Sequence, residues 1–153
     1  MTLSRFALPG LLACVALVGG GNHGSPAQYV GGTISEIPSG CGGTVQAVDD
    51  EFFVFASKNA RWRVPYDKIN LIEYGQRVDR RYLAAVLVSP LFLFAKKREH
   101  FLTVGYSDEE NHQQAMVFKV GKDDIRTVLV ILEARTGRKV EFQDDEARKG
   151  GKG

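Results

Sequence analysis

Apolar residues recur along the chain with two different periods, and the change of period divides it. Between Gly121 and Val140, Ile125, Val128, Leu129 and Leu132 fall at i, i+3, i+4 and i+7. This spacing predicts a helix of about three turns with one apolar face. Asp123 or Asp124 is placed to accept hydrogen bonds from the first free N–H groups, at the positive end of the helix dipole. Arg135 falls in the last turn, and Gly137 supplies a left-handed residue to end it. A helix this short is marginal alone, so its apolar face requires a partner surface.

Upstream the period is two. Alternation and β-branched residues predict strands at Val30–Ile37, Thr44–Val48, Phe52–Ala56 and Arg61–Pro65. They are separated by Pro38–Gly43, Asp49–Glu51 and Ser57–Ala60, which carry turn residues. In the fourth strand Trp62 and Val64 share one face while Arg61 and Arg63 take the other. Tyr66–Asn70 reads as a tight turn or a single helical turn, Leu71–Tyr74 as a strand stopped by Gly75. His100–Ser107 and Gln114–Val120 form a hairpin around the polar turn 108–113, and Lys139–Phe142 adds a short edge strand. The charged, glycine-rich segment 143–153 is expected to be disordered.

One stretch obeys neither period. Tyr82–Ala95 is an apolar run of 14 residues, with Ser89 as its only strongly hydrophilic residue and Pro90 interrupting it. Arg77, Arg80 and Arg81 flank it on one side, and Lys96, Lys97 and Arg98 on the other. Residues 61–100 hold nine Lys/Arg against four Asp/Glu, a local basic excess in a chain whose net charge is only +2. As a helix the run would reach ~21 Å, short of the ~30 Å hydrocarbon core of a bilayer. Two readings stay open. In one, residues such as Leu91, Phe92 and Phe94 dip into a membrane interface or a partner while the flanking cations reach anionic head groups. In the other, the run is buried as two core strands or a packed helix, and the cations mark its solvated ends.

The N-terminus shifts the picture from fold to destination. Arg5 precedes an apolar run from Phe6 to Val18, glycines follow, and Ser25-Pro26-Ala27 places small residues before Gln28. This is the layout of a secretory signal peptide over 1–27, which leaves a domain at 28–142 and a tail at 143–153. An uncleaved N-terminal anchor and lipidation at Cys14 are the alternatives. An extracytoplasmic location, periplasmic or secreted, follows from the first. Removal of the signal would leave Cys41 as the sole thiol, excluding an intramolecular disulfide.

Composition adds little chemistry. The 153 residues are 44% hydrophobic and 25% charged, ordinary for one globular domain, and the small net charge gives no reason to expect a nucleic-acid partner. His100 and His112 lack metal-ligand spacing, and each reads as a solvated residue. Asp108-Glu109-Glu110 lacks the alternating ligands of a calcium loop. Neither a phosphate-binding glycine loop nor a nucleophile motif is present, so no cofactor, metal or catalytic residue is expected.

About seven strands followed by one amphipathic helix, which would plug the open end of a bent antiparallel sheet, resembles a pleckstrin-homology-like (PH-like) domain in the broad sense that includes bacterial PH and GRAM-type modules. The phrases 64–69 (VPYDKI), 96–104 (KKREHFLTV) and 132–137 (LEARTG) also resemble a group of exported bacterial proteins of uncharacterised activity, over about Gly31 to Phe142. The resemblance implies a mainly β, PH-like roll capped by the C-terminal helix. It does not carry over an inositide site, because the first hairpin loop, Pro38–Gly43, has no basic residue and the only tryptophan, Trp62, lies in a strand. The expectation is a non-catalytic exported binding module whose partner is an anionic membrane surface or an envelope protein. Its candidate contact residues are Arg77, Arg80, Arg81, Leu91, Phe92, Phe94, Lys96, Lys97 and Arg98. The alternative is a soluble extracytoplasmic protein–protein interaction domain.

Overall fold

The computed structural model describes residues 24–77, 87–88 and 98–152. They form one nine-stranded, mostly antiparallel sheet with two helices at its C-terminal end. The strands are β1 (Ser25–Gly32), β2 (Gly42–Gln46), β3 (Phe52–Ser57), β4 (Arg61–Pro65), β5 (Ile69–Gly75), β6 (Leu87–Val88), β7 (His100–Ser107), β8 (Gln113–Val120) and β9 (Glu141–Phe142). A 3-10 turn, Tyr66–Lys68, links β4 to β5. The helices are α1 (Lys122–Thr136) and α2 (Asp145–Lys152).

The sheet order is β4-β3-β2-β1-β8-β7-β5-β9, with β6 on β1. Two antiparallel runs, β1–β4 and β5–β7–β8, are joined through the pairing of β1 with β8, and β9 adds in parallel to β5. A bulge between Tyr29 and Gly31 lets β1 shift register along β8. Bulges bend a strand and raise its twist. The ladder switches partner at the same point: Ser25–Gln28 pair with β2, and Gly31–Gly32 with β6.

Alternation explains the core. Tyr29, Phe53, Phe55 and Phe118 lie inward, their ring centroids 5.0–6.2 Å apart, and the apolar face of α1 closes over the sheet with Ile125, Val128, Leu129 and Leu132. The four helix residues are those the spacing selects. Gly137 ends α1 with φ 69°, a left-handed value open to glycine without a Cβ penalty, and its N–H bonds to Glu133 O at 2.9 Å.

Four expectations change. β1 runs over 25–32 rather than 30–37, and Ala27 is buried against β2 and β8. Non-local pairing on both edges decides this, and local alternation does not register it. α1 begins at Gly121 as N-cap with no side-chain cap, so Asp123 and Asp124 occupy its first turn instead of capping it. The tail is not featureless. Residues 145–152 form α2, whose Ala147 and Gly151 are buried. Nine strands form among the described residues instead of about seven: the short edge strand expected at 139–142 is present as β9, and the two-residue β6 is the one not expected.

Candidate functional site

The basic excess surrounds the segment that connects β5 to β7. These two strands pair antiparallel out to Gly75↔Phe101, so Arg77 and Arg98 emerge at the same end of the sheet, both exposed. Arg98 pairs with Glu146 of α2 at 3.1 Å. Both side chains are about two-thirds exposed, and such a pair contributes little. Arg80, Arg81, Leu91, Phe92, Phe94, Lys96 and Lys97 lie outside the described residues. Within the run only the backbone of Leu87–Val88 is described, and it is hydrogen-bonded to Gly31–Gly32.

The same end of the sheet holds an aromatic pair that sequence reasoning missed. His100, expected to be solvated, is half-buried and stacked on Tyr74 at 5.9 Å, with the Tyr74 hydroxyl 2.5 Å from Nδ1. Burial lowers the His100 pKa, as do Lys122 and Arg126, against a smaller opposing effect of Glu99. Burial raises that of Tyr74. Both shifts favour the uncharged pair. Gly150 and Gly151 of α2 cover Tyr74, and Phe142 meets its ring edge-on at 6.1 Å. Enclosed in this way, the pair clamps α2 to β5 and β7. The neighbouring Glu73, 2% exposed, accepts a hydrogen bond from Gln143 Nε2 at 3.0 Å. No spacing in the sequence connects residues 73–74, 100 and 142–151; only the sheet order does.

A concavity of about 540 Å³ opens where β4 ends. Phe52, Pro65 and Tyr66 give it an aromatic and apolar wall, and Asp50, Glu51 and Asp67 make its charge mainly negative. Arg135 and Thr136 bring in the C-terminal end of α1. Arg135 is taken up by Asp50 Oδ1 at 2.5 Å and by Val48 O at 3.4 Å. Tyr66 is 5% exposed, and its hydroxyl has no hydrogen-bond partner among the described residues. Burial pushes its pKa up to about 12, and the charges acting on it are Arg135, Asp49 and Asp50. The sequence places Asp50 and Glu51 in a turn, Phe52 and Pro65 in strands, Tyr66 and Asp67 in a turn and Arg135 in the last helical turn, but no spacing in it brings them together around a cavity.

The other acidic and nucleophilic candidates have structural roles. Asp108 Oδ1 accepts from the N–H groups of Glu110 and His112, which closes the β7–β8 turn around Asn111 at φ 64°. Asp49 does the same for Glu51 and Phe52. Cys41 is a free thiol in the β1–β2 connection. Among the described residues no group of three or more His, Cys, Asp or Glu could hold a metal ion, and no helix is long and apolar enough to cross a membrane. A scan against protein-family models and a search of curated proteins found no match to the chain.

Proposed function

We propose that the chain is a non-catalytic, exported binding module on a PH-like roll, which associates with an anionic membrane surface through the 82–95 run and its basic flanks. One observation carries this reading. Arg77 and Arg98 flank the run in sequence and stand exposed at one end of the β5–β7 pair. Cations on both sides of an apolar run in the sequence provide the two contributions interfacial binding uses, apolar burial and attraction to anionic lipid. The strand order and the helix α1 over the sheet are in keeping with a PH-like roll.

Co-sedimentation of the purified protein with anionic and neutral vesicles tests the proposal. Binding to anionic vesicles should weaken as salt rises, because exposed charges are screened beyond about 8 Å at physiological ionic strength. It should fall about fivefold for each charge removed by Lys96→Gln, Lys97→Gln or Arg98→Gln, on the order of 1 kcal/mol each. Absence of binding to either vesicle would sink the membrane reading. The second reading, a protein–protein module, is favoured by β4, which among the described residues has a strand partner, β3, on one side only.

A further inference from the structure

We infer that the cleft at the end of β4 is a binding site for a cationic side chain, lysine or arginine, presented by an extended segment of a partner polypeptide. The Tyr66 hydroxyl is the first reason. It is buried in the cleft wall without a hydrogen-bond partner among the described residues, and the charged side chains acting on it include Arg135 and Asp50 of the same cleft. A buried hydroxyl without a partner is costly, so a ligand whose entry opens the cleft wall to it gains by supplying one.

Charge selects the ligand. Arg135 is already held by Asp50, whereas Glu51 and Asp67 have no ion-pair partner among the described residues. The C-terminal end of α1, with its partial negative charge, adds to the same bias. The wall suits a cation with an apolar stem. Phe52 already carries the Arg63 guanidinium 4.1 Å from its ring centroid, and Pro65 and Tyr66 extend the apolar surface. The volume of about 540 Å³ lies within the range of roughly 300–1,000 Å³ usual for ligand pockets.

The sheet selects the kind of molecule. β4 is bonded to β3 alone among the described residues, and its last residue, Pro65, lines the cleft. A strand laid along β4 would therefore carry a side chain over the site, with main-chain bonds providing affinity and the cleft providing selectivity. This inference stands apart from the membrane reading, and the vesicle results bear on neither arm of its test.

The test is an NMR titration of the full chain with Nα-acetyl-arginine methylamide and with its uncharged citrulline counterpart. The arginine probe should give saturable shifts at Phe52, Tyr66 and Asp67 in the millimolar range, and citrulline should bind at least threefold more weakly. Asp67→Asn, on the exposed turn, should weaken arginine at least threefold, and Tyr66→Phe should do the same with a melting temperature equal to or above that of the parent. Absence of saturable shifts at these residues, equal binding of citrulline, or unchanged affinity in both variants would overturn the assignment.

Discussion

Among the described residues, His100 gives a pH dependence close to neutrality. Its folded pKa lies below the ordinary 6.5 through burial first and the cations Lys122 and Arg126 next, so the unfolded chain binds a proton more readily. Its contribution to stability is then complete above about 6.5 and is lost as pH falls through that value toward the lower folded pKa. Asp49 and Asp108 are lowered by hydrogen bonds, the first chiefly from the Glu51 N–H and the second chiefly from Gln114. Their contribution fades only below about 3.8. Thermal melts across pH 4–7 should therefore show a falling midpoint in the parent and a flatter profile in His100→Asn, which leaves the acid limb to the carboxylates. Glu73 gives a second expectation. Gly75 has no Cβ, and one placed there would collide with the Gln143 side-chain amide, so this glycine admits the side chain that donates to Glu73. Gln143→Ala should cost roughly 1–3 kcal/mol in urea unfolding, since a buried carboxylate loses a donor. Gly75→Ala should cost a comparable amount, and the two should combine to less than their sum.

Of the two helices, α1 was legible and α2 was not. α1 writes its contact face into the spacing of Ile125, Val128, Leu129 and Leu132, all buried. Leu132→Ala should cost about 2–5 kcal/mol. Val130→Thr, at a position 64% exposed on the opposite side, should stay within about 0.5 kcal/mol in the same denaturation experiment. α2 buries an alanine and a glycine and exposes charge, so its composition reads as a solvated tail. Its order comes from the surface it meets, where Tyr74 and Phe142 lie under Gly151 and Arg126 Nε donates to Gly150 O at 3.3 Å. The strands divide in the same way. β7 falls over the residues that alternation selected, and β9 within the expected edge strand, whereas two-residue β6 depends on a partner already in place.

For the molecule as a whole, the start of β1 has a direct consequence. A chain beginning at Gln28 lacks three of the four β1–β2 pairs, Ser25↔Val45, Pro26↔Thr44 and Ala27↔Gly43. It also lacks the buried Ala27. It should be less stable than a chain beginning at Gly24 by on the order of 2 kcal/mol, the sum of a few backbone hydrogen bonds, as measured by urea unfolding. Periodicity within a few residues determined the strands of the β3–β4 and β7–β8 hairpins, the face of α1 and its glycine stop, because alternation and the 3.6-residue repeat are properties of the local chain. The chain also displayed its basic flanks openly. Tertiary structure alone decided that β1 reaches back to Ser25, that His100 stacks on Tyr74 beneath α2, and that Phe52, Tyr66 and Arg135 share one cleft. Those juxtapositions join residues far apart in the chain, 26 positions for Tyr74 with His100 and 85 for Asp50 with Arg135. They depend on which strand lies beside which, and that choice is made by burying all the apolar faces together.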